Sequence, residues 1–241
     1  MKAIVLLLSF SIMSMQAQKQ EKEGLQQKIE EAFIRCIENE SEQPLEKIAE
    51  TLTLAFDQND TVSTRYWLSY TRYHQALLAA EINQKKKQAE SYIDAAILLL
   101  KPSLKDSESL ALLSLQTGYS IRFKSYFAMM GLGQYSRNYA ETALSLDSNN
   151  LRAHYALAIN NFYTPKVFGG GSEVEAILKQ ALALAENSIN ENQPTWGKDS
   201  VYELLVKHYK KEEKYSLAKK YLAEGLALFP ENKQLKNLTE L

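Results

Sequence analysis

Apolar positions recur three and four residues apart along most of the chain, which is the period of an α-helix. Residues of roughly 20–38 carry Leu25, Ile29, Ala32, Phe33 and Cys36 on one face. The next element, roughly 44–58, places Pro44 in its first turn, where a missing amide costs nothing. Leu45, Ile48, Ala49, Leu52 and Ala55/Phe56 follow on one side. After the break at Asn59-Asp60-Thr61, helices are predicted over roughly 63–82, 84–100, 106–130, 134–147, 151–163, 172–187, 199–211 and 214–228, with a short one past Pro230. Pro102 ends one of these, and Gly131 with Gly133 is expected to end another. No segment sustains the alternation of a strand, so the fold class is all-α.

Composition agrees with that pattern. The chain of 241 residues holds 35 Leu and 25 Ala against 6 Val, 13 Ile and 10 Thr, with only 9 Gly and 5 Pro. Good helix formers therefore outnumber β-branched residues about two to one. At 45% hydrophobic and 10% aromatic residues the chain is too apolar to be disordered. Lys+Arg 28 against Asp+Glu 29 leaves no bulk charge to attract nucleic acid. A single cysteine, Cys36, excludes an internal disulfide framework. Its apolar neighbours predict a buried thiol rather than an intermolecular disulfide.

Residues 1–17 read as an address. Lys2 precedes an apolar run from Ala3 to Met13, shorter than the ~20 residues a membrane span needs. Ala17 offers the small residue of a signal-peptidase site. The expected mature chain, 18–241, has no further stretch apolar enough to span a bilayer. That predicts an exported protein, periplasmic or extracellular.

The helices pair across short polar turns, a pattern that points to a repeat. From Asp199 the spaced residues are Tyr202, Leu205, Val206 and Tyr209, then Tyr215, Ala218, Leu222, Gly225 and Pro230. Leu205 and Tyr209 would fill a seam between two helices, and Ala218 and Gly225 would let them approach closely. This unit resembles the tetratricopeptide repeat (TPR), with Val206 where the family has Gly or Ala. A second unit, Gly133-Gln134-Tyr135 to Ala143-Leu144 and Leu146-Asp147, is similar, with Ser148 in place of a Pro. A third runs from Leu151 through Leu157-Ala158 to Val174, Leu178 and Ala181. Ala89, Ile93 and Ala96 repeat the small–large–small seam earlier in the chain. The resemblance implies a right-handed α-solenoid of about five helix hairpins over residues 18–241. It also implies a concave surface lined by the first helix of each hairpin.

On that surface the candidate partner-binding residues are Tyr66, Tyr70 and Tyr73, then Tyr119, Arg122 and Tyr126 as a stripe on one helix, and Tyr155. Tyrosine supplies contact area plus a hydroxyl at low entropic cost, which suits an extended peptide. The loop Thr164-Pro165-Lys166-Val167-Phe168-Gly169-Gly170-Gly171-Ser172 has no Gly-Lys-Ser/Thr and no preceding strand, so it does not read as a phosphate loop. Phe168 is expected in the core, and Ser172 with Glu175 is expected to form a capping box. The loop resembles one in a group of secreted bacterial TPR proteins, where a Trp-Gly follows past the next helix. Here that element is Trp196-Gly197, and the two loops are expected to pack together.

Candidate chemistry is sparse. His74, His154 and His208 lie on separate helices, and no His-Glu-x-x-His pair, Cys/His cluster or Gly-x-Ser-x-Gly elbow is present. The expectation is a non-catalytic scaffold without cofactor or metal, a monomer rather than an obligate oligomer, binding a protein or peptide in its groove. The rival reading is a periplasmic small-molecule binding subunit of a transport system, which a closed aromatic pocket would favour over an open groove.

Overall fold

The apolar stripes fold as helices that close on one another in pairs. The computed structural model describes residues 24–184 and 193–239; the expected signal segment lies outside the described residues. Five hairpins follow in chain order: α1 (Leu25–Glu38) with α2 (Gln43–Gln58), α3 (Val62–Leu77) with α4 (Lys86–Leu100), and α5 (Ser107–Ser120) with α6 (Tyr126–Leu146). Then come α7 (Leu151–Tyr163) with α8 (Val174–Ala183) and α9 (Lys198–Lys211) with α10 (Tyr215–Leu228); α11 (Lys233–Asn237) caps the end. No strand occurs among the described residues, and none of their helices is long and apolar enough to cross a membrane.

The odd-numbered helices of successive hairpins pack on one another in a row, α1 to α3 to α5 to α7 to α9. The even-numbered helices pack on the odd helices before and after them and make no substantial contact with each other. The odd helices are therefore the inner row, and the chain is an α-solenoid.

The small residues work where the repeat logic put them. Ala89, Ile93 and Ala96 are fully buried in the α3–α4 seam, as are Leu205, Tyr209 and Ala218 in the last hairpin. A Cβ on Gly225 would sit 3.0 Å from Tyr202 Cβ, so α10 could not approach α9 so closely with any other residue. Cys36 is buried with Ile29, Ala32 and Leu45. The central helices are joined by polar contacts at close range. Ser114 and Ser136 exchange hydroxyl-to-carbonyl bonds of 2.7 and 2.9 Å, and Gln116 donates to Ser69 Oγ at 2.8 Å.

Four local expectations are corrected. First, Gly131 and Gly133 do not end a helix; both lie inside α6, with open space around them. The break comes earlier, at a 3₁₀ turn over Ile121–Phe123 and an extended Lys124. It is pinned from outside, because Lys124 Nζ donates to Glu90 and Asp94 of α4 at 2.9 and 2.7 Å. Second, Phe168 is 71% exposed; Phe162 and Val174, on the helices that flank the loop, are buried in the core instead. Third, Ser172 and Glu175 form no capping box: Ser172 Oγ turns back to Gly169 O. The amides of Gly171 and Glu173 donate instead to Asn161 Oδ1, at 3.0 and 3.2 Å. The glycine run keeps its structural role, since a Cβ on Gly170 would fall 1.8 Å from Thr164 O. Fourth, Trp196 docks onto α3 rather than onto the 164–172 loop.

Candidate ligand-binding groove

The inner face divides into two parts. In the first, the connection before α9 folds back onto the earlier hairpins. Gln26 Oε1 on α1 accepts from the amides of Thr195 and Trp196 at 2.7 and 3.2 Å. The Trp196 indole donates to Tyr66 Oη at 2.8 Å and stacks on the Tyr70 ring at 5.9 Å between centroids. Arg152 on α7 donates to Trp196 O at 3.2 Å while its fork is held by both oxygens of Glu108 on α5, at 2.5 and 2.6 Å. Gln26 Nε2 and Tyr70 Oη both donate to Glu30 Oε1 at 2.9 Å. Burial pushes the Glu30 carboxyl up, with the two hydrogen bonds opposing it. Burial likewise raises the Tyr66 and Tyr70 hydroxyls far above their ordinary range, so both stay neutral.

The second part lies beyond that strap. Tyr73 on α3 meets Tyr119 on α5 edge to face at 5.5 Å. Tyr119 Oη donates to Glu81 at 3.0 Å, and Arg122 pairs with the same carboxylate while its guanidinium sits 4.9 Å over the Tyr119 ring. Burial and the Glu81 charge push the Tyr119 hydroxyl up to about 12. Tyr155 on α7 is half-buried on the same inner face, and burial raises its hydroxyl well above the usual range, with Tyr73 adding to the effect. Among the described residues, the hydroxyls of Tyr73 and Tyr155 have no hydrogen-bond partner. A tyrosine hydroxyl can both donate and accept, so the strip offers two unused groups of each kind.

The seven residues named from sequence therefore fall into three places. Tyr66 and Tyr70 are buried and engaged by the chain's own Trp196 and Glu30. Tyr73, Tyr119, Arg122 and Tyr155 share the open strip. Tyr126 stands apart, 74% exposed at the start of α6, because the break at residues 121–125 separates it from the Tyr119–Arg122 helix. The single-helix stripe through Tyr126 is not formed. Gln26, Glu30, Glu108 and Arg152 carry no local signal that points to the inner face. Each is an ordinary polar position of an amphipathic helix until the fold closes.

Over 87% of this chain and 95% of its own, the structure matches that of TTC0263, a thermophilic TPR protein of Thermus thermophilus, with a TM-score of 0.57 and 15% identity. The fold is that of a TPR protein. Two further structural matches are looser. MamA gives a TM-score of 0.40 at 12% identity, covering 77% of this chain and 88% of its own. YrrB, described as a TPR protein with an unusual peptide-binding site, gives 0.39 at 14%, covering 94% and 97%. No protein-family model matches the chain, and no curated protein does. In TPR terms α1, α3, α5, α7 and α9 are the first helices of the five units, and the Tyr73–Tyr155 strip runs across three of them.

Proposed function

We propose that the chain is an exported, non-catalytic TPR scaffold that holds an extended protein or peptide segment against the inner strip of Tyr73, Tyr119, Arg122 and Tyr155. The observation that supports it is the pair of unbonded tyrosine hydroxyls that α3 and α7 bring near each other on that strip. Binding would come from aromatic area and hydroxyl bonds to main-chain groups, with no bond made or broken. Export rests on the Lys2, Ala3–Met13 and Ala17 pattern; an intact mass of protein from the native envelope that begins at Gln18 would support it, and one that begins at Met1 would count against it.

Peptide display against the purified mature chain is the direct test. Enriched peptides should bind at least about threefold more weakly to Tyr73→Phe and Tyr155→Phe, which remove the hydroxyls and keep the ring packing, so thermal midpoints should stay close to wild type. Equal binding to the variants would remove the strip from consideration. The rival reading is a small-molecule binding subunit. Native mass spectrometry separates the two: a retained low-mass compound displaced by no peptide would favour the rival.

A further inference from the structure

The contacts around Trp196 are those of a bound peptide rather than of a loop resting on a surface. Helices α1, α3, α5 and α7 all contribute a side chain, and those from α1, α3 and α7 act on main-chain or ring atoms of residues 195–196. Gln26 captures two consecutive amides, Arg152 captures the carbonyl of Trp196, and Tyr66 and Tyr70 take the indole. Arg152 is oriented for this by Glu108, and Gln26 by Glu30, so the acceptor and donor are fixed by the solenoid and not by the segment. Both amides reach one oxygen because the main chain turns at Trp196-Gly197, so the solenoid's side chains hold the segment as a turn. The segment itself is terminated by Gly197 at φ 112, whose missing Cβ would meet Leu151 Cδ2 at 3.0 Å, so it leaves the groove at once toward α9.

We infer that Pro194-Thr195-Trp196-Gly197 is a tethered pseudo-ligand: it occupies one half of the inner face as an incoming peptide would, and a partner segment carrying an aromatic side chain at a main-chain turn takes its place. This rests on the peptide-groove reading and adds the partner's chemistry and a built-in competitor. Displacement exposes Tyr66, Tyr70 and the Gln26 and Arg152 heads, and extends the open strip onto the first hairpin. The tether makes occupancy intramolecular, so a partner must compete against a high effective concentration.

Two measurements test it. Native-state hydrogen exchange on the unmodified chain should show the Thr195 and Trp196 amides opening at least about tenfold faster than core amides such as Ile93 and Leu113, because a displaceable segment opens without global unfolding. Exchange of these amides only in step with the core would mean a permanent brace and would overturn the inference. The second uses the synthetic hexapeptide of residues 193–198 as the probe. It should bind Trp196→Ala at least about tenfold more tightly than wild type, and Gln26→Ala in that background should abolish the gain. No binding to a folded Trp196→Ala chain would also overturn it; if that variant does not fold, the exchange experiment decides alone. Both readouts depend on Gln26, Tyr66, Arg152 and Trp196, so their failure leaves the Tyr73–Tyr155 strip standing, and the display experiment can fail without touching them.

Discussion

His74 shows how far burial alone sets the state of a side chain here. It is buried against Phe33 and Tyr70, with ring centroids 5.3 and 4.4 Å away, and its Nδ1 donates to Tyr70 O at 2.9 Å. Desolvation lowers its value from 6.5 to about 4, with that hydrogen bond opposing the shift, so the folded chain holds it neutral. The unfolded chain binds the extra proton between those two values, and stability therefore rises with pH from about 4 to about 6.5 and is flat above. The full contribution is of order 3 kcal/mol. Glu30 acts with the opposite sign: its raised carboxyl favours the acid side and loses that advantage as pH climbs through the folded value. Urea midpoints should fall less steeply from pH 7 to pH 4.5 in His74→Gln than in wild type; parallel slopes would mean that the ring is not held neutral. The sequence marks this histidine only as a polar residue among aromatics. Its state depends on Phe33, which is 41 positions away and becomes a neighbour only when α1 packs on α3.

At the level of elements, the helix–helix seams follow from side-chain size. Gly225 permits the α9–α10 approach, and Gly225→Ala should cost about 1–2 kcal/mol. Overpacking against Tyr202 exceeds the gain of about 1 kcal/mol in helix propensity. A thermal melt reads the sign directly, and a raised midpoint would show that the seam can relax. Helix ends were less legible than helix faces. Gly131 and Gly133 carry the standard stop signal, yet α6 runs through both, because each faces open space and φ stays helical. The real break has no Gly or Pro. It is held by Lys124 reaching two carboxylates on α4, a partner that no local window contains. The same holds at the 164–172 loop, where Asn161 from the preceding helix replaces the expected Ser172 cap.

In the whole molecule, a solenoid ordinarily couples each repeat only to its neighbours. The Trp196 strap adds a contact between α1 and the start of the fifth hairpin, 169 and 170 residues apart along the chain. The Glu108–Arg152 pair at its base is mostly shielded, with side chains 24% and 15% exposed. Removing either partner leaves the other charge uncompensated, so Glu108→Ala and Arg152→Ala should each cost about 2 kcal/mol. The double variant should cost less than their sum by about 1 kcal/mol or more. Chemical denaturation of the four chains gives the coupling, and strict additivity would show that the pair does not act as a unit.

The spacing of apolar residues was enough to determine the helices, their pairing into hairpins and the TPR-like seam, because those depend on a local period and on the size of residues a few turns apart. The aromatic character of the inner face was legible for the same reason. Which tyrosines remain available was decided only by tertiary structure. Tyr66 and Tyr70 lie on the same helix as Tyr73, but Trp196 arrives from far along the chain to bond the Tyr66 hydroxyl and cover the Tyr70 ring, Glu30 takes the Tyr70 hydroxyl, and Gln26 and Arg152 hold the strap there. A hydrogen bond between residues 130 positions apart has no signature in either segment, so the difference between an occupied groove and an open one exists only once the solenoid has closed on itself.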